Sequence, residues 1–178
     1  YSQWYFARLY ISPSGLDGLA GDVLYRSRAT SLLYTRLIDA AFGLWQPAHL
    51  AGGILLHGLN SVLLFFVARG LNWKPAAAAM AAACFACYSG HQEAIVWIAS
   101  QHELLVFSFA AASALCWLRW LSGGRTAWAA ATAFFYLGAL YSKESAVVVL
   151  PLLAGLAWAA KPAWRSVAAW LSPLSLFT

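Results

Sequence analysis

Charged side chains are scarce in this sequence. Asp, Glu, Lys and Arg make up 10% of the 178 residues, whereas a soluble domain averages about 25%. Hydrophobic residues make up 62%, and the mean hydropathy is +0.67. So few polar side chains cannot cover a surface that faces water on all sides, which excludes a soluble domain. The composition therefore predicts an integral membrane protein.

Runs of basic residues are also missing, although the net charge is +5. The eleven Lys and Arg residues stand singly, mostly at the ends of apolar stretches, where orientation signals and lipid-phosphate contacts lie. This pattern argues against nucleic acid as a partner and indicates a lipid bilayer. Ten Trp and eight Tyr agree, because amphipathic rings collect at the headgroup level.

Cysteine is rare, and Cys84, Cys87 and Cys116 all lie in apolar stretches. Cys84 and Cys87 share a helix face, but no further Cys or His stands at a ligand spacing. We therefore expect buried packing residues rather than a metal pair.

The sequence has no initiator Met or signal peptide, begins at Tyr1, and stops inside a hydrophobic run at Thr178. These features predict a fragment of a longer protein.

Long apolar runs fill the chain after residue 46. They predict an all-α, multi-spanning transmembrane helix bundle with five complete spans and a truncated sixth, in a single transmembrane domain 1–178. The predicted spans are 47–68, 75–89, 104–118, 126–142 and 145–160, with the sixth beginning at residue 167. His57 and Asn60 interrupt the first span three residues apart, so we expect them to face the bundle and to bond across helices.

Residues 1–46 are less hydrophobic and are expected to form an outer loop. Within this loop, Leu33 and Leu37 begin an apolar pattern of three- and four-residue steps that predicts a helix over 29–44. Thr30 or Ser31 is suited to cap its start, and Gly43 lies near its end. We expect this amphipathic helix to lie in the membrane interface.

A polar segment, 90–103, separates the second and third spans. It contains His91, Glu93, His102 and Glu103 between two long apolar runs. Ionisable groups at such a place are costly and are usually kept for a function. His91, Glu93 and His102 stand two and nine residues apart, a spacing that matches no zinc pattern, so no metal site is predicted.

Basic residues in alternate loops predict the orientation. Arg69, Arg119 and Lys161 lie in loops expected to face the cytoplasm. Segments 1–46, 90–103 and 143–144 then share the other face. The first of these segments carries four arginines, Arg8, Arg26, Arg28 and Arg36, against the positive-inside tendency. They indicate an anionic partner such as lipid phosphate.

Three stretches resemble the GT-C superfamily of membrane glycosyltransferases, particularly bacterial relatives of the protein O-mannosyltransferases and the TPR-bearing transmembrane mannosyltransferases. The first is Tyr25-Arg26-Ser27-Arg28 with the later Leu56-His57-Gly58-Leu59-Asn60. The second runs from His91 through Leu105 and contains Glu93-Ala94-Ile95-Val96-Trp97-Ile98. The third is Ser142-Lys143-Glu144-Ser145-Ala146 followed by Leu150-Pro151-Leu152. Together they cover most of the chain in the family's order.

The resemblance implies transfer of a sugar from a polyprenyl-phosphate donor to a protein, lipid or glycan acceptor. It places the site on the periplasmic or outer face of a bacterial inner membrane. A carboxylate in the first outer loop would act as base on the acceptor. Asp22 is the candidate in that loop, and Glu93 of the polar segment is the other candidate carboxylate. The candidate substrate-binding residues are Arg26, Arg28, His91, His102, Lys143 and Glu144. A divalent cation is left open as a cofactor.

Two departures from the family keep alternatives open. Relatives often carry an acidic pair before an aromatic stretch like Trp4-Tyr5-Phe6, and here Ser2 and Gln3 stand there. Where relatives often have an Arg in the polar turn, this chain has Gln101. A non-catalytic GT-C-like scaffold therefore stays open. A transporter is the other alternative, because polar cavities and a mid-span proline at Pro151 also suit transport.

Overall fold

The computed structural model describes residues 28–159. Asp22 and Arg26, with the rest of residues 1–27, and the predicted sixth span lie outside the described residues. Within 28–159 every regular element is a helix and there is no strand, which confirms the all-α prediction.

Seven α-helices, which we number α1 to α7, follow one another in this part of the chain, with three short 3-10 helices between them. The α-helices are α1 (Ala29–Phe42), α2 (Gln46–Gly70), α3 (Pro75–Cys87), α4 (Gln92–Val96), α5 (Gln101–Leu121), α6 (Ala127–Leu140) and α7 (Val149–Ala159). The 3-10 helices are Ser89–His91, Ile98–Ser100 and Glu144–Val148.

Two helices are long and apolar enough to cross a membrane, namely α2 with 25 residues and Ile98–Leu121 with 24. Only 22% and 44% of their most apolar windows are buried inside the protein, so much of their apolar surface is open to a surrounding medium. The expectation of five membrane-length helices is therefore corrected to two within the described residues. The 13 residues of α3 rise about 20 Å, short of the roughly 30 Å of a hydrocarbon core.

The predicted first helix is present as α1, although its start is not capped as expected. Arg28 occupies the N-cap position and makes no side-chain cap bond, while Gly43 ends the helix at φ 62°. The hydroxyl of Thr30 instead reaches α6, where it bonds the Gly138 carbonyl at 3.1 Å. The Thr30 backbone N–H, one of the donors that a helix start leaves unpaired, bonds the Tyr141 carbonyl. The beginning of α1 is thereby fixed to the end of α6.

A buried polar stripe on α2, formed by His49, His57 and Asn60, faces the interior, which confirms the expected orientation of His57 and Asn60. Asn60 Nδ2 donates to the Leu104 carbonyl at 2.9 Å, and its Oδ1 accepts from Ser108 on α5 at 2.5 Å. These bonds satisfy a polar amide inside an apolar bundle and join α2 to α5.

The apolar core lies between α5, α6 and α7. Trp117 and Tyr136 are fully buried in it, together with Leu153. The Trp117 indole N–H donates to the Leu153 carbonyl at 2.8 Å, so the largest core side chain also has its polar atom paired. This packing fixes α5, α6 and α7 against one another, and with them the elements that carry the site described below.

The cysteine prediction is wrong for two of the three residues. Cys116 is buried, but Cys84 and Cys87 are exposed. They lie on the exposed side of α3. Ala78 is the one buried residue of this helix.

Gly53 is the tightest point between α2 and the polar segment. A Cβ added there would lie 2.5 Å from the Ile95 carbonyl oxygen and 2.7 Å from Gln101 Nε2. We expect Gly53→Ala to destabilise the protein by about 1–3 kcal/mol, because the obstructing atom is backbone and must move. Denaturant titration of the purified protein in detergent micelles measures this change.

Gly58 on the same helix is the matched control, since an added Cβ would meet nothing within 4 Å. Gly58→Ala should raise the free energy of unfolding by about 0.5–1 kcal/mol through the loss of backbone freedom in the unfolded chain. Equal effects of the two substitutions would contradict the described packing of α2.

Candidate functional site

Five ionisable side chains gather at one end of the helices, and we call them the charged cluster: Arg28, His102, Glu103, Lys143 and Glu144. They come from the starts of α1 and α5 and from the turn that follows α6. These are parts of the three segments that the loop charges assign to one face. Their convergence agrees with that assignment, and the side of a membrane on which they lie stays a prediction.

Lys143 and Glu103 form the centre of the charged cluster. The Lys143 ammonium donates to Glu103 Oε1, and His102 Nε2 lies 3.8 Å from the same oxygen. The Lys143 and His102 side chains retain 24% and 14% of their exposure, so both are largely withdrawn from solvent. One carboxylate therefore holds a cation and an imidazole side by side.

Arg28 and Glu144 form the second ion pair. Arg28 Nη2 lies 3.0 and 3.2 Å from the two Glu144 carboxylate oxygens, and the Glu144 side chain is 59% exposed. A hydrogen bond from its own backbone N–H lowers the pKa of the Glu144 carboxyl. Burial acts in the opposite direction, and the hydrogen bond and charge of Arg28 lower the pKa further. Glu144 thus stays ionised and keeps Arg28 oriented.

Both cations keep donors for a further ligand. An ammonium has three N–H donors, and Lys143 uses one of them on Glu103. Arg28 uses Nη2 on Glu144 and its Nε is buried, which leaves Nη1 as the guanidinium nitrogen for a ligand. A guanidinium can present two parallel donors to a phosphate or carboxylate. The charged cluster can therefore bind an anion, with the cations already positioned by their carboxylates.

Ser142 explains why the turn after α6 is fixed. Its hydroxyl is fully buried, lies 2.7 Å from the Thr30 hydroxyl and donates to the Gly138 carbonyl at 2.8 Å. The polar pair anchors the turn to α1, so Lys143 and Glu144 project from a rigid base. Arg28 lies two residues before Thr30 and is carried to Glu144 by the same contact.

Not every predicted site residue joins the charged cluster. His91 packs in an aromatic group, with ring centroids 4.4 Å from Phe85 and 5.2 Å from His57. Glu93 is exposed on α4 and makes no ion pair within residues 28–159. Asp22 and Arg26 lie outside the described residues. The structure thus brings together Arg28, His102, Lys143 and Glu144 of the predicted set.

Glu103 was missed as a site residue, although it belongs to the polar segment 90–103. It does lie in the first turn of α5, yet its carboxylate is the one that meets Lys143. Its position beside His102 was the available signal. Gln101 proves structural, because its buried Nε2 donates to the carbonyls of His49 and Ile95.

Metal ligation finds no support in this arrangement. Among the described residues no group of three or more His, Cys, Asp or Glu side chains is placed to hold a metal ion.

Comparisons with protein-family models, with curated proteins and with solved structures gave no match. The function is therefore argued from the charged cluster and its setting.

The pKa of Glu144 tests the second ion pair. We expect Arg28→Gln to raise it, but not to its usual value, because the backbone N–H bond remains. Since folding lowers this pKa, the contribution of Glu144 to stability is present above the unfolded-state value and is lost as the pH falls through the folded-state value. Carboxyl-detected NMR titration in micelles measures the shift.

Arg125→Gln is the control for charge alone, because Arg125 is exposed in the turn between α5 and α6. It should leave the pKa of Glu144 unchanged. The same rise in both variants would mean that net charge, and not the Arg28–Glu144 contact, sets this value.

Proposed function

We propose that the protein is a membrane glycosyltransferase of the GT-C type, which moves a sugar from a polyprenyl-phosphate donor to a protein, lipid or glycan acceptor. The charged cluster is the observation that carries this proposal. It brings donors from Arg28 and Lys143 together with His102 at the ends of apolar helices. A lipid-linked phosphate needs such donors at the place where its headgroup leaves the hydrocarbon.

The chemistry follows from charge development. When the sugar leaves, negative charge accumulates on the phosphate, and cations fixed in advance stabilise it without reorganisation. Within the charged cluster each cation is matched by a carboxylate, Arg28 by Glu144 and Lys143 by Glu103. In this proposal the uncompensated charge comes from Arg26, two residues before Arg28. Glu103 and Glu144 are positioning residues that hold the cations in place.

The acceptor-side base is assigned to Glu93 or Asp22. Glu93 is exposed on α4, in the same polar segment as His102. A base must reach the acceptor hydroxyl, and an exposed carboxylate is open to an incoming acceptor. A divalent cation remains open as an aid to phosphate departure.

The membrane setting is part of the proposal. In this proposal the candidate spans α2 and Ile98–Leu121 cross the bilayer, and α3, α6 and α7 complete a multi-span bundle with them. Exposed apolar side chains on α1, among them Leu33 at 58% and Leu37 at 63%, support a helix lying in the interface. The charged cluster then faces the periplasm and Arg69 and Arg119 face the cytoplasm, in a bacterial inner membrane.

A transporter is the second candidate, and the buried polar stripe of α2 favours it. Nδ1 of His49 and Nδ1 of His57 are buried without a hydrogen-bond partner among the described residues. His57 Nε2 is hydrogen-bonded to the Ala86 carbonyl at 3.2 Å, and an imidazole with one nitrogen left unpaired inside a bundle is suited to pass a proton or bind a polar solute. The charged cluster, which lies at the helix ends and not at their middle, is better explained by a lipid-phosphate site.

Removing the Lys143 ammonium tests the proposal. In the full-length protein, Lys143→Ala should weaken binding of a polyprenyl-phosphate sugar by roughly 1.5–3 kcal/mol, the range for a charge-assisted hydrogen bond. Arg26→Ala should act in the same direction. Titration of purified protein in nanodiscs with the labelled donor gives the dissociation constants.

Lys74→Ala provides the matched control, because Lys74 is an exposed lysine between α2 and α3. It should leave donor binding unaltered. Unchanged binding in both Lys143→Ala and Arg26→Ala would place the phosphate site elsewhere and remove the basis of the proposal. Donor binding without sugar transfer would identify the non-catalytic scaffold instead.

A further inference from the structure

A groove of about 860 Å³ lies between α2, α5 and α6. Its walls are apolar and include Leu63, Phe66, Leu115 and Phe135. It ends at Arg119, sixteen residues along α5 from Glu103, which corresponds to about 24 Å of helix. The groove is therefore far from the charged cluster, at the other end of the same helices.

Two arginines, Arg69 and Arg119, lie at the polar end of this groove. The Arg119 guanidinium stacks 5.0 Å from the Trp128 ring centroid, and Arg69 donates to the Trp73 carbonyl. Neither arginine has a carboxylate partner within residues 28–159. The four acidic residues of that range, Asp39, Glu93, Glu103 and Glu144, are all absent from the groove lining. Its positive charge is uncompensated there.

We propose that this groove binds an anionic phospholipid, with the phosphate on Arg69 and Arg119 and an acyl chain along the apolar walls. Planar guanidinium groups match phosphate oxygens with paired donors, and stacking on Trp128 holds Arg119 in place for them. An apolar groove that ends in two cations matches an anionic lipid, which has an apolar chain and a negatively charged headgroup. A lipid without net charge lacks the second feature. The site is separate from the proposed donor site.

A second groove of about 580 Å³ shows the contrast. It lies between α1 and α2, is lined by side chains such as Ile38, Leu55 and Leu59, and contains no charged residue. Nothing in it selects a headgroup. The chain's own ends are weaker occupants of the first groove. Residues 160–178 carry Lys161 and Arg165 and no acidic residue, so the two arginines of the groove repel them. Residues 1–27 carry Asp17 and Asp22, which can pair with those arginines, so the test below includes deletion of this segment.

Lipid titration by native mass spectrometry tests this proposal on the full chain released from micelles. Phosphatidylglycerol should bind more tightly than phosphatidylcholine. The double variant R69Q/R119Q should bind phosphatidylglycerol about tenfold more weakly or worse, as expected for the loss of charge-assisted bonds to phosphate. The double variant K74Q/R125Q removes two exposed cations outside the groove lining and should change binding less than threefold, or about 0.7 kcal/mol.

Two further arms identify the site and the source of the phosphate. Leu115→Trp, which fills the apolar part of the groove, should also weaken phosphatidylglycerol binding. Inorganic phosphate should not displace the lipid. Equal losses in R69Q/R119Q and K74Q/R125Q, equal binding of the two lipids, or binding that appears only after residues 1–27 are deleted would each overturn the proposal.

Discussion

The site depends on keeping charged side chains at the ends of apolar helices, and the ion pair between Lys143 and Glu103 meets this requirement. A cation at the end of an apolar helix loses much of its hydration, and a nearby carboxylate offsets that cost. Glu103 lies in the first turn of α5, where the helix dipole also favours a negative charge. The pair links the start of α5 to the turn after α6. Arg28 and Glu144 form a second such ion pair, which connects the start of α1 to the same turn.

The same constraint explains the buried polar groups of α2. Asn60 bonds the Leu104 carbonyl and Ser108, and Gln101 bonds the His49 and Ile95 carbonyls. Each bond crosses between elements, so polar groups that are costly to bury become the contacts that set the register of α2 against α5. Gly53 lets the polar segment approach closely enough for the Gln101 bonds to form. The cluster is therefore held by a polar framework as well as by apolar packing.

Spacing along one helix was readable from the sequence, but contacts across breaks were not. His57 and Asn60 were predicted to face inward because residues three apart share a helix face. Glu93 and Glu103 each lie just after a break between two helices, and no local sequence pattern tells which of them meets Lys143. The turns from Trp97 to Ser100 decide it, by directing α5 and not α4 toward α6. Helix lengths failed because an apolar run does not show where its α-helix begins. The predicted span 145–160 opens with the 3-10 helix Glu144–Val148, which shortens α7.

The most direct test of the account exchanges the charges of the central pair. Glu103→Lys and Lys143→Glu should each destabilise the protein, because each places like charges side by side. The double variant restores an opposite pair. Denaturant titration in micelles should then show a coupling of about 1 kcal/mol, an amount suited to a half-exposed pair. Strictly additive effects would contradict the account, because Glu103 and Lys143 would then not hold the three segments together.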